Sequence, residues 1–347
     1  MTTARDVMLM GPLDLMELLG LTWRQANQLL SDVSAQITPP YSTAWDALSQ
    51  LTSGDAPQPL RTGLQTLDGA LRLGLPAGSI TELVGPGGVG KSQLCHMLAL
   101  VTALPQAHGG LGSGVVYIDT ERKFSAARLA EMLRARAGAG GAAVPEAQVS
   151  EVLQRIAVMS PGSTEQLEGA LQSLQDVVLR CRARLVVLDS IAALARTEYG
   201  NTAAGAGTGG GLVGSIMERQ QVLGRMASQL KALAESLRLP VLVTNQVTTR
   251  IAEAGGERPG GGGTLTAALG TKWAHCVNLR LVLERLHDRR FLKVAKSPSC
   301  ANVVLEYVIG PTGLQEVDRG AELPPQLTGN VLDLAIMNEI DYGAEYG

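Results

Sequence analysis

The sequence predicts an α/β protein: a mostly parallel twisted sheet with helices on both faces, an antiparallel C-terminal extension, and a small N-terminal helical domain. Three observations carry that expectation. Short apolar runs (SITELV, VVYID, LVVLD, PVLVTNQ) alternate with segments of helical periodicity. Strands this apolar belong to a parallel sheet covered on both faces. After residue 276 the rhythm changes to NLRLVLE, FLKVA and VVLEYVI with no helical stretch between them, which reads as an antiparallel continuation.

Residues 1–37 form the small helical domain. In LTWRQANQLL, Thr22 and Gln25 have capping-box spacing, Leu21 and Ala26 sit at staple positions, and Gly20 separates this helix from LDLMELL. A helix–Gly–helix turn can hold a phosphate backbone; with only Arg24 nearby, packing or partner docking is the better reading. Residues 38–60 hold four prolines and read as a linker. The core is expected over 61–318. There SITELV runs into a glycine loop, and Leu94, Met97, Leu98, Val101 and Leu104 follow at helical spacing. STEQLEGALQSLQDVV opens with a Ser163/Gln166 box, and 216–237 is a long amphipathic helix. Two glycine-rich segments, 200–214 and 253–264, each follow a strand and suit a segment that orders on a partner. The Gly/Ala run at 137–143 reads as surface variation. Residues 319–347 form an acidic tail with an apolar patch inside it.

The composition narrows the function classes. Net charge is −3, so no global field favours nucleic acid or membrane. The distribution is uneven: residues 1–40 carry −2 and 316–347 carry −6, leaving the middle at +5, a body able to accept an anion locally. Cys95, Cys181, Cys276 and Cys300 are widely spaced without a CxxC, which argues against metal or redox use. MTTARDVM lacks a signal-peptide profile and no apolar run is long enough to span a bilayer, so a soluble intracellular protein without membrane contact is expected.

The chemistry sits in GPGGVGKSQ, Gly85 to Gln93. Gly85, Gly90, Lys91 and Ser92 satisfy G-x-x-x-x-G-K-[ST], and the stretch follows a strand and opens a helix. Such a loop, here Gly85, Pro86, Gly87, Gly88, Val89, Gly90, Lys91, Ser92 and Gln93, turns backbone N–H groups toward a phosphate at a helix N-terminus. Lys91 suits the β/γ oxygens of ATP and Ser92 suits Mg2+. Asp189, ending LVVLD, is placed to act on the metal through water, its alternative being a cap for the next helix. Glu121 in YIDTE is the candidate base, with Asp119 the competing carboxylate. Gln246 can bond a γ-phosphate and relay its presence to the glycine-rich segment that follows.

These motifs, in this order across residues 12–317, resemble the RecA/RadA-type recombinase ATPases. The likeness is greatest to the eukaryotic recombinase paralogues, and among them to the B-type. It is carried by GSITELVGPGGVGKSQLCHML, VVYIDTERKFSAARL, LVVLDSIAALARTEY, PVLVTNQVTT, and ALGTKWAHCVNLRLVL followed by KVAKSPS. The resemblance implies a RecA-type P-loop core, with Lys91, Glu121 and Gln246 catalytic and Ser92 and Asp189 on the metal. It implies that the glycine-rich segments are paired DNA-binding loops, with Arg196, Arg219, Arg250 and Arg258 as their cations. It also implies subunit contacts through Tyr41 and Ala44, in place of a family F-x-x-A, and through Lys296 and Pro298 of KSP. An ordinary linker role for Tyr41 stays open. His275 matches a family histidine linking the second loop to the nucleotide, and equally suits a core histidine. Arg122-Lys123 departs from the Gly-Thr of filament formers, and the sparse loop cations predict weak intrinsic DNA binding.

The expected function is a nuclear, DNA-dependent ATPase, weak alone, that binds ATP and Mg2+ within a recombinase-paralogue complex. It would assist loading of the main recombinase on single-stranded DNA in homologous-recombination repair of double-strand breaks and damaged forks. Expected partners are a C-type paralogue first, then the D-type and the small fourth paralogue, with single-stranded and branched DNA. The alternatives are a self-assembling strand-exchange recombinase and a nucleotide-gated scaffold with incidental turnover.

Overall fold

The fold comes from a computed structural model that describes residues 3–38, 41–52, 58–138, 144–200, 211–246, 248–250, 264–266, 269–301 and 303–317. They divide into two compact units, Met1–Ala56 and Pro57–Gly347.

The N-terminal unit holds α1 (Ala4–Met8), α2 (Pro12–Leu19), α3 (Trp23–Ile37) and α4 (Ala44–Thr52). Pro12 opens α2, where its missing N–H would have lacked a partner anyway. Gly20 ends that helix with φ 66°, a left-handed conformation that suits glycine. The expected box at α3 is present: Gln25 N donates to Thr22 Oγ1 (3.4 Å) and Thr22 N to Gln25 Oε1 (2.9 Å). Leu15 and Ala26 are fully buried.

Helix α4 lies within the segment expected as a linker with a possible docking motif. Asp46 N donates to Thr43 Oγ1 (3.1 Å) and Thr43 N to Asp46 Oδ2 (3.0 Å), a capping pair readable in TAWD. The four prolines, at positions 39, 40, 57 and 59, flank this helix without entering it.

The second unit begins with α5 (Gln65–Ala70), β1 (Ile80–Gly85), α6 (Lys91–Ala103), β2 (Gly114–Asp119), α7 (Ala126–Gly138), α8 (Glu146–Gln154) and β3 (Ile156–Met159). It continues with α9 (Thr164–Gln172), α10 (Leu174–Arg180), β4 (Ala183–Asp189), α11 (Ala192–Gly200), α12 (Gly211–Leu237) and β5 (Val241–Gln246). Then come β6 (Thr248–Arg250), β7 (Thr264–Thr266), α13 (Gly270–Cys276), β8 (Leu279–Leu286), β9 (Arg289–Lys296), β10 (Val304–Gly310) and β11 (Gly313–Glu316). Nine strands form one sheet in the order β11-β10-β9-β8-β1-β5-β4-β2-β3. Pairing is parallel from β8 through β3 and antiparallel from β8 to β11, as expected.

Successive strand residues face opposite ways, so each apolar run feeds two cores. Val115 and Tyr117 of β2 pack with Leu94 and Leu98 of α6, while Val116 and Ile118 pack with Met226 and Leu230 of α12. This is why these strands lack an apolar–polar alternation.

Several details differ from the expectation. Strands β3 and β11 are four-residue edge strands too short to announce themselves. Strands β6 and β7 pair antiparallel at the borders of the second glycine-rich segment. The first glycine-rich segment follows α11 and not a strand, and α12 starts at Gly211. At α9 only half the box forms, because Gln166 Oε1 accepts from Gly162 N (2.8 Å). The Gly/Ala residues 139–143, residues 201–210 and 251–263 of the glycine-rich segments (Arg258 included) and the acidic tail from residue 318 lie outside the described residues.

One buried carboxylate joins four elements. Glu82 Oε1 accepts from Asn245 Nδ2 (2.9 Å) and Trp273 Nε1 (2.8 Å), and Oε2 from Arg280 Nε (2.6 Å). Glu82→Ala leaves the Arg280 guanidinium buried and uncompensated, and is expected to lower the unfolding free energy by about 3–5 kcal/mol. Urea denaturation of the full chain measures it; a midpoint unchanged from wild type would show that the hub carries no stability.

Candidate nucleotide site

The site gathers at the carboxyl ends of β1, β2, β4 and β5, the edge where open α/β sheets bind ligands. The loop after β1 has two steric demands that only glycine meets. A Cβ on Gly85 would stand 2.4 Å from Leu283 O, and Gly90 has φ 110° with Ile309 Cδ1 2.9 Å from a Cβ position. The loop is also gripped from the antiparallel extension: Tyr307 donates from its buried hydroxyl to Val89 O (2.6 Å). Arg128 adds a second link, donating to Gln93 Oε1 (3.0 Å) and Gly310 O (2.6 Å).

Lys91 opens α6 and is 8% exposed, its Nζ donating to Gly85 O (2.7 Å) and Pro86 O (2.8 Å). Burial pushes its ammonium below the usual lysine value, while the charges of Asp189 and Glu121 pull the other way. A buried ammonium held only by neutral carbonyls fits a polyanion at the loop.

Asp189 is 3% exposed and accepts three hydroxyl bonds: from Ser92 Oγ (2.7 Å), Tyr117 OH (2.9 Å) and Thr244 Oγ1 (2.6 Å). Burial raises the Tyr117 phenol well above its ordinary value, keeping it a donor. The helix-cap alternative for Asp189 finds no support among these bonds. The pairing of Ser92 with Asp189 fits Mg2+, which takes few protein ligands and fills its shell with water and phosphate oxygens. Among the described residues no group of three or more His, Cys, Asp or Glu could hold a metal, so a protein-built cage is not on offer.

The competition between Asp119 and Glu121 has a geometric answer. Asp119 organises the turn after β2, accepting from the backbone N–H groups of Glu121 (3.2 Å), Lys123 (3.1 Å) and Phe124 (2.8 Å). Glu121 faces the β4 and β5 ends instead. Its Oε1 accepts from Ser190 Oγ (2.7 Å) and Gln246 Nε2 (2.8 Å); Oε2 accepts from Gln246 Nε2 (2.8 Å) and pairs with Lys123. Burial pushes this carboxyl up, but the bonds from Lys123, Ser190 and Gln246 outweigh it and hold it below the ordinary 4.5.

The structure therefore brings together Lys91, Ser92, Asp189, Glu121 and Gln246. The other expected residues fall on these elements. Arg196 lies in α11, Arg219 in α12 and Arg250 in β6. His275 is exposed in the last turn of α13, which rules out the core-histidine reading. Lys296 Nζ donates to Ala274 O (2.8 Å) and Val277 O (2.7 Å), holding the end of α13, and Pro298 lies just beyond β9. Tyr41, 97% exposed, precedes α4, which Ala44 begins.

The chain resembles known proteins along most of its length. Residues 58–317 match the Rad51 family, and residues 1–37 match the XRCC3/RpoA-like helix-hairpin-helix domain. The chain belongs to the Rad51 family. It is 37% identical over 336 residues to mouse (Mus musculus) DNA repair protein RAD51 homolog 2, covering 91% of each chain. The human (Homo sapiens) counterpart is 34% identical, over 90% of this chain and 83% of that one. DNA repair and recombination protein RadA of Metallosphaera sedula is 28% identical, over 91% and 90%.

In this Rad51-family chain the residues that motif reading missed are Tyr117, Thr244, Ser190 and Tyr307. A tyrosine inside a buried apolar strand signals that its hydroxyl has a partner, but not which one. Tyr307→Phe leaves Val89 O without its donor. It is expected to weaken nucleotide binding several-fold, on the order of 1 kcal/mol, in a fluorescent-nucleotide titration; unchanged affinity would show that the loop keeps its shape without that bond.

Proposed function

We propose that this chain binds ATP with Mg2+ and hydrolyses it slowly, as one subunit of a recombinase-paralogue complex acting in DNA repair. The observation that carries the reading is the constellation of buried Lys91 with the Ser92–Asp189 hydrogen bond at the end of a glycine loop. Lys91 would neutralise charge on the β/γ oxygens, Ser92 would ligate the metal, and Asp189 would hold a water of its shell. Bound Mg2+ would supply charge neutralisation at the phosphates. Glu121 would accept the proton of an attacking water, and Gln246, bonded to both its oxygens, would orient it.

The crowding of Glu121 supports slow turnover. A carboxylate offers about four lone-pair sites, and Ser190, Lys123 and both Gln246 contacts engage them. The same observation favours a second reading, a nucleotide-gated scaffold in which ATP orders an interface and turnover is incidental. Neighbouring paralogues, C-type first, and the main recombinase are the proposed protein partners, through Tyr41, Ala44, Lys296 and Pro298. Arg196, Arg219, Arg250 and Arg258 are proposed as contacts to single-stranded and branched DNA, with nuclear action following from the repair role. A filament-forming strand-exchange enzyme gains no support from loops so poor in cations.

Lys91→Ala is expected to abolish ATP binding, whereas Glu121→Gln should keep binding and lose hydrolysis; repair assays in cells then separate the readings. Equal loss of repair in both variants favours hydrolysis, and retained repair in Glu121→Gln favours the scaffold. Lys123→Met removes one bond that depresses Glu121, leaving burial to raise its pKa. The acid limb of the pH–rate profile should then move to higher pH, and an unmoved limb would show that Lys123 does not act on the base.

A further inference from the structure

We propose that the edge of the sheet opposite the phosphate loop is a nucleotide-independent binding site for the phosphate backbone of duplex DNA. The inference deepens the proposed DNA role, resting on it for the kind of polyanion, and is independent of the nucleotide site. Its residues are Arg180, at the end of α10, Arg182, just before β4, Arg184, at the start of β4, and Arg238, just before β5. All four are exposed, and none makes a side-chain hydrogen bond or ion pair with another described residue. Arg155, entering β3 at the same edge, differs: it donates to Glu151 Oε1 (2.7 Å) and Ala103 O (2.8 Å).

The topology concentrates these charges. Strands β4 and β5 are parallel neighbours with Val186 opposite Val241, and Val186 N donates to Pro240 O (3.3 Å), so the turn before β5 that carries Arg238 lies beside the start of β4, near Arg184. Arg182 O accepts from Gly114 N (3.2 Å), which sets it beside the start of β2. Adjacent strands are about 4.8 Å apart, so the arginines entering β4 and the one on the turn before β5 are about one strand spacing apart. The nearby acids do not cancel it. Glu235 pairs with Lys231 at 3.4 Å, and Asp176 is a single charge on α10. Strand β4 carries the edge about 20 Å from Asp189 at about 3.3 Å per residue, too far to share phosphates with the loop.

The chemistry favours a duplex backbone over a single strand or an acidic protein. Proteins that hold single strands stack bases on aromatic rings. Residues 174–185 and 234–241 contain no Phe, Tyr or Trp. Protein interfaces have an apolar centre depleted in charge, whereas the exposed large apolar residue beside these arginines is Leu179 alone among the described residues. Planar guanidinium groups with nothing to read bases suit phosphates, whose density is highest on a duplex.

The test uses the full-length chain carrying Arg180→Gln, Arg182→Asn, Arg184→Gln and Arg238→Asn together. Asn is chosen at 182 and 238 because their φ values, 48° and 49°, are left-handed and Asn tolerates that region. Fluorescence anisotropy with a labelled random-sequence duplex is measured across a salt series, with and without ATP. The log–log salt slope is expected to become shallower by about 3–4 units, because each of the four phosphates the arginines cease to neutralise removes about 0.9. The same change is expected in a Lys91→Ala background, so failure of the nucleotide reading leaves this result standing. Binding to oligo(dT) should change little. A duplex slope equal to wild type overturns the proposal. So does a change seen only with ATP, or loss of a partner protein with an unchanged slope. If the fourfold variant does not fold, Arg180→Gln with Arg184→Gln is read instead, with an expected change of about 1–2 units.

Discussion

The buried carboxylate of Asp189 is the constraint around which the site is built. An acid at the tip of an apolar strand is stable there only with hydrogen-bond partners. It takes three hydroxyls, each from a different element: Ser92 of α6, Tyr117 of β2 and Thr244 of β5. Those bonds fix the relative height of three parallel strand ends and the first turn of the loop helix. Lys91, one residue from Ser92, is thereby placed with its ammonium inside the loop. Moving any of these strands by one residue would reverse its faces and leave the carboxylate unpaired.

Support for the loop comes from the antiparallel extension. Tyr307 reaches Val89, Ile309 stands over Gly90, and Arg128 reaches across to Gly310. Strand β10 thus belongs to the edge that carries the glycine loop as much as to the sheet. On the far side, Glu82 ties β1 to β5, β8 and α13. Lys296 holds the end of the same helix, so α13, which follows the second glycine-rich segment, is joined to the strand that carries the loop.

Glu121 shows how local chemistry tunes a shared scaffold. Lys123 and Gln246 engage the carboxylate from two sides, and Ser190 occupies the oxygen nearest β4. A carboxylate so engaged is well oriented but a weaker base than a free one. The two ends of the sheet also differ in kind: one edge buries its charges in a shaped site, the other leaves four arginines to solvent.

Elements whose signal is local are legible in the chain. The glycine loop, the apolar parallel strands, the Thr22 cap and the switch to antiparallel strands all belong to this class, because spacing and periodicity are properties of consecutive residues. Helix α4 is equally local, in TAWD, but proline content masks it. The choice between Asp119 and Glu121 needs three dimensions, since both end the same strand and only the turn geometry shows which is engaged by backbone N–H groups. So do the partners of Tyr117, Thr244 and Tyr307, and the placing of the turn that carries Arg238 beside the start of β4. Hydrogen bonds act over about 3 Å in space and carry no trace in the chain of how far apart their partners lie.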